Sequence, residues 1–102
     1  MNYTEAEKIK NDNLNITGEF SKLNAFPYYL RWLIVVPSDV EFKERIEVFK
    51  LTFENGHDNK KAIEDLGYAD NDLTVMIIGY SAGMYQEFSL LEYLKRIHSN
   101  ID

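Results

Sequence analysis

The sequence predicts an α+β or α/β domain in which two similar helix-strand-helix units pack around a small sheet. Three observations lead there. Hydrophobic residues make up 45% of the 102 positions, enough for one modest core burying roughly 65% of the unfolded surface. Two short, mostly β-branched apolar runs, Leu33 to Val36 and Val75 to Ile78, each break at Pro or Gly near a serine and lead into a segment of helical period. Those segments also match each other, Ile46-Glu47-Val48-Phe49-Lys50 against Leu91-Glu92-Tyr93-Leu94-Lys95. Such self-similarity points to an internal repeat. The expected organisation is a single domain, 1–102, with units at 17–54 and 58–99 and a loosely packed N-terminal segment at 1–16.

In chain order, Thr4 with Glu7 forms a capping-box pattern, but Asn11, Asn13 and Asn15 offer the core little apolar surface. Phe20 and Leu23 precede the first strand at the same i, i+3 spacing as Ile63 and Leu66 before the second. The segment Phe26-Pro27-Tyr28-Tyr29-Leu30-Arg31-Trp32 is the richest in aromatics. Strand alternation sends Trp32 to the core and leaves Tyr29 and Arg31 on the other face. Ser38 and Glu41 form a capping box for a helix with an apolar stripe at Phe42, Ile46, Phe49 and Phe53, ended by Asn55-Gly56. Asp58 caps a short helix carrying Ala62, Ile63 and Leu66 that stops at Gly67, and Ala69 to Asp72 is turn chemistry before a strand from Leu73 to Ile78. The last helix is expected from Met84 to His98, striped by Leu90, Leu91, Leu94 and Ile97, with Lys95, Arg96 and His98 near its negative end.

Composition removes several classes of function. Without cysteine there are no disulfides and no thiolate chemistry. Seventeen acids against eleven bases give a net charge of −6, which disfavours a grip on phosphate backbones, so no nucleic-acid partner is expected. The excess falls in the second half: residues 53–102 carry nine acids and four bases, residues 1–52 eight and seven. No apolar run approaches the roughly 20 residues that span a bilayer, and MNYTEAEKIK is not a secretory signal. A cytoplasmic protein with no membrane partner is the expectation. Asp70, Asp72, Glu64 and Asp65 lack the glycine and terminal glutamate of a calcium loop, and neither His57 nor His98 has an i, i+4 partner. No metal or cofactor is expected.

The sharpest motif is Gly79-Tyr80-Ser81-Ala82-Gly83, a G-x-S-x-G placed between an expected strand and an expected helix. In these five residues the chain resembles the α/β-hydrolase family. That resemblance implies Ser81 as nucleophile and the Ala82 amide as an oxyanion donor. The rest of a triad is missing. His98 would sit roughly 25 Å along one helix from Ser81, against the ~3 Å that proton transfer needs, and His57 lies on the wrong side of the serine. A tight turn capped by Ser81 accounts for the motif without catalysis.

The expected function is therefore non-enzymatic: a module that binds a protein or peptide in a groove between the two units. Tyr28, Tyr29, Arg31, Tyr80 and Tyr85 are the candidate contacts, because tyrosine and arginine are enriched where proteins meet. A two-stranded sheet also exposes unpaired edges, which admit an added peptide strand or a second copy of the chain as a homodimer. Two other readings come from other classes: a minimal serine hydrolase at residues 79–83, and an acidic decoy or inhibitor of a nucleic-acid-binding protein. In MNYTEAEKIKNDN, the tandem LIVV and VMII runs, the absence of cysteine and the single Gln86, the whole chain resembles short orphan proteins of filamentous viruses of hyperthermophilic archaea. That resemblance implies a viral accessory protein acting in the host cytoplasm.

Overall fold

The two β-branched runs become neighbouring strands. In the computed structural model, which describes residues 1–16 and 30–101, β1 (Leu30–Pro37) pairs antiparallel with β2 (Leu73–Ser81), from Leu30 opposite Tyr80 to Pro37 opposite Leu73. A third strand, β3 (Met84–Ser89), pairs antiparallel with the other side of β2, giving the order β1-β2-β3. Helix α1 (Tyr3–Asp12) precedes the sheet, α2 (Phe42–Glu54) and α3 (Asn59–Asp65) connect β1 to β2, and α4 (Leu90–Ile101) follows β3. Four helices on a three-stranded antiparallel sheet among the described residues make this an α+β domain.

The two halves are not built alike. After Pro37 the chain enters α2, whereas after Ser81 it reverses and returns as β3, so residues 84–89 are strand and the last helix starts at Leu90. The reversal comes from Ala82 and Gly83, whose φ of 52° and 82° fit the two central positions of a type I′ turn. The two runs pair directly, from Leu30 opposite Tyr80 to Pro37 opposite Leu73, so no gap is left between β1 and β2 for an added peptide strand.

Alternation places Trp32, Ile34 and Val36 on one face with Met76, Ile78 and Tyr80, and Leu33 and Val35 on the other with Val75 and Ile77. Both faces are buried: Ile34, Val35, Val36, Val75, Ile77 and Ile78 are at most 2% exposed. Helix α2 covers the first face. There Arg45 Nε donates to Glu87 Oε2 of β3 at 2.9 Å, and both side chains are almost enclosed. The Glu87 hydrogen bond raises the Arg45 pKa above its ordinary value. Helix α1 packs against β1 and β2, and α4 against β2 and β3, which leaves them to cover the second face.

At Val35 the outer edge of β1 is met by a side chain. Asn59 Oδ1 accepts from the Val35 N–H and Asn59 Nδ2 donates to the Val35 carbonyl, both at 2.9 Å, so the amide mimics a residue of a neighbouring strand. The same Nδ2 reaches Thr52 Oγ1 of α2 at 3.3 Å. Asn59 and Thr52 are each 5% exposed.

The N-terminal segment is more firmly packed than the asparagines suggest. Asn2 rather than Thr4 caps α1, accepting from the Glu5 N–H at 2.9 Å, and Ala6 is fully buried. The Met1 carbonyl accepts from the Leu73 N–H at 2.9 Å, and the Met1 ammonium hydrogen-bonds the Leu73 carbonyl at 3.1 Å and the Asp72 carboxylate. Ser38, expected to cap α2, donates instead to Asp72 Oδ2 at 2.7 Å. The helix starts three residues later, where the Glu41 N–H donates to Glu44 Oε2 at 3.3 Å. Asp58 caps α3 as expected, accepting from the Lys61 N–H at 3.0 Å. Phe42 and Leu66, both expected on apolar stripes, are exposed.

The Met1 ammonium and the Ser38 hydroxyl hold the Asp72 carboxyl below its ordinary pKa. A carboxylate with a depressed folded-state pKa stabilises the fold above the unfolded value and loses that contribution as pH falls through the folded one. Wild type is therefore expected to be more stable than Asp72→Asn at neutral pH, with the gap closing as the solution is acidified below the ordinary carboxylate range. Urea denaturation of both proteins across that range measures it, and a constant gap would contradict the linkage.

Candidate functional site

The hairpin that replaces the expected strand-to-helix turn also builds the site. A two-residue turn fixes the register, Ser81 opposite Met84 and Tyr80 opposite Tyr85. The two tyrosines thus form a direct cross-strand pair, with ring centroids 4.8 Å apart and planes at 47°. Trp32 of β1 lies on the same face, and α2 contributes Phe49 and Phe53, one turn apart. Phe49 lies 5.6 Å from Trp32 and 5.9 Å from Tyr85, and Phe53 lies 4.8 Å from Trp32. The five rings form a continuous row in tilted and edge-on contacts, each such contact stabilising by about 0.5–1.5 kcal/mol beyond area burial.

Between the C-terminal half of α2 and the β2-β3 hairpin runs a groove of about 300 Å³ lined by these five residues together with Lys50 and Glu54. Lys50 Nζ lies 5.6 Å from the Tyr85 ring centroid and 3.7 Å from a Glu47 carboxylate oxygen. Glu54 is exposed and makes no ion pair among the described residues. A second, smaller cavity of about 160 Å³ shares Trp32 and Phe53 and is bordered by Leu33, Thr52, His57 and Asn59. His57 sits edge-on to Phe53 at 4.7 Å, with a left-handed φ of 69° just after Gly56 at 68°. Its N–H returns to the Thr52 carbonyl at 2.8 Å, which closes the end of α2. A groove of this size, apolar with two charged groups at its margin, is chemically equipped to hold one or two side chains of a guest.

Of the five expected contacts, the structure brings together Tyr80 and Tyr85. Arg31 lies in β1 opposite Gly79, while Tyr28 and Tyr29 lie outside the described residues. Trp32, Phe49 and Phe53 were assigned to the core by their spacing. They do pack against it, but they also surface in the groove. Lys50 and Glu54 carried no signal of their own. What could have revealed the tyrosine pair is turn length, since a two-residue hairpin turn sets positions five apart directly opposite each other.

Gly79 to Gly83 is a hairpin and not a nucleophile elbow. Ser81 ends β2, and no helix begins until Leu90, so Ala82 offers no amide at a helix N-terminus. Of the acids weighed above against a calcium loop, Asp72 pairs with the Met1 ammonium and Asp65 with Lys61, and the described residues contain no cluster of three potential metal ligands. No described helix is long and apolar enough to cross a membrane. Comparison of the chain with family models, curated proteins and solved structures gives no match.

The turn makes a prediction of its own. Ala82 holds a left-handed φ that costs an L-residue with a Cβ roughly 1 kcal/mol, whereas asparagine tolerates it in type I′ turns. Ala82→Asn is expected to stabilise the protein by about 0.5–1 kcal/mol, read as a higher urea midpoint with an unchanged slope. A lower midpoint would mean that this hairpin does not form.

Proposed function

We propose that the chain is a protein-interaction module that holds a short segment of a partner protein in the aromatic groove between α2 and the β2-β3 hairpin. The observation that carries this reading is the row of five rings bordering an open groove. In a domain of this size, aromatic side chains lining a groove supply large, rigid contact area at low entropic cost, as the anchors of protein interfaces do. The sheet beneath the rings is clamped to α2, so the binding surface needs little ordering when a guest arrives. This is a reading of binding, not catalysis. A role as a viral accessory protein in a host cytoplasm rests on the resemblance given above alone.

Selection of random heptapeptides on immobilised protein tests the proposal. Wild type is expected to enrich a consensus that the Tyr80→Ala, Tyr85→Ala double variant retains at least about tenfold less, with far-ultraviolet circular dichroism showing the double variant folded. Equal retention by the folded double variant, or no enrichment on wild type, would overturn it.

A further inference from the structure

We infer that the groove is selective for an arginine side chain presented by the partner segment, stacked on the aromatic row and paired with Glu54. The inference rests on the interaction reading above and adds the chemistry of the guest. Three observations converge on a cation.

First, the chain already places one of its own there. Lys50 Nζ lies 5.6 Å from the Tyr85 centroid, inside the ~6 Å within which a ring quadrupole attracts a cation. Lys50 is not committed to that position. Its side chain is 46% exposed, and Glu47 at 3.7 Å is an alternative partner away from the ring. It acts as a tethered competitor that a better-fitting cation displaces toward Glu47.

Second, Glu54 lines the same groove one helical turn beyond Lys50 and has no ion-pair partner among the described residues. A carboxylate at the margin of an apolar groove is the complement of a cation whose body lies on the rings. Third, the whole chain carries a net charge of −6, so the long-range field draws basic segments in and turns acidic ones away.

Arginine fits better than lysine. Its guanidinium is planar, stacks on aromatic faces, is more weakly hydrated than an ammonium, and offers a fork of donors that meets a carboxylate with two hydrogen bonds. Trp32, Tyr80 and Tyr85 supply the faces and Glu54 the acceptor.

The test uses three pentapeptides, identical except for arginine, citrulline or norleucine at the centre. Citrulline keeps the shape of arginine without its charge, and norleucine is purely apolar. Binding is read from the fluorescence of Trp32, the only tryptophan in the chain and itself a lining residue. The arginine peptide is expected to give a saturable change, with the citrulline peptide at least about tenfold weaker. Lys50→Met should tighten the arginine peptide by about threefold by removing the competitor, and Glu54→Gln should weaken it by a similar factor. Both positions face solvent and neither variant removes core packing.

Equal binding of the citrulline or norleucine peptide would overturn the choice of arginine while leaving the groove a peptide site. Weaker binding of the arginine peptide to Lys50→Met would overturn it in the same way, because it would show Lys50 supporting the guest instead of competing with it. No saturable change with any peptide, on wild type or Lys50→Met, would remove both readings.

Discussion

The structure depends most on how the open edge of β1 is closed. An edge strand presents backbone donors and acceptors that must find partners if they are buried, and at Val35 the partner among the described residues is one asparagine amide. Asn59 engages both polar groups of Val35 at 2.9 Å, in a place where all the participating atoms are shielded from water. Each hydrogen bond contributes only about 1 kcal/mol net. Its loss would weigh more, since it would leave a peptide N–H and a carbonyl buried without partners, at about 1–3 kcal/mol for each, while the Thr52 hydroxyl would keep its bond to the Val48 carbonyl at 2.7 Å.

The same amide sets the geometry of the groove. Through Thr52 it ties the C-terminal end of α2 to the middle of β1. Phe49 and Phe53 flank Thr52 along the helix, and Trp32 precedes Val35 by three residues on the strand. The clamp therefore positions the wall and the floor together. Toward its other end α2 is fixed by Arg45 on Glu87 of β3. Two fixed points define how the helix lies across the sheet, and the space left between its C-terminal half and the hairpin is the groove. A fold that placed these rings more loosely would have to order them when a guest arrived.

What could be read from the sequence is what local chemistry controls. The apolar runs gave the neighbouring strands β1 and β2, Asp58 gave the cap of α3, and the α+β class followed from combining strand and helix periods. Three features escaped. Ala82-Gly83 is a poor match to the Asn-Gly signature of type I′ turns, and a G-x-S-x-G invites the strand-to-helix reading, so local pattern alone reads residues 84–89 as helix. Ser38 looked like a cap because its bond to Asp72 spans 34 residues. Asn59 carried no signal at all: an asparagine at the start of a short helix is ordinary, and its bond to Val35 spans 24 residues. In the site, periodicity identified Phe49 and Phe53 as apolar. It could not show that their outer edges would meet Trp32 and the tyrosine pair, because that depends on the register of a hairpin and the tilt of a helix.

The claim that Asn59 completes the sheet is tested most directly by hydrogen exchange at one backbone amide in the unmodified protein. If the side chain does replace a strand, the Val35 N–H should exchange only through global unfolding, with the same free energy as the amide of Ile77 in the central strand. Exchange of Val35 at the rate of an exposed strand edge, while Ile77 remains protected, would contradict the account.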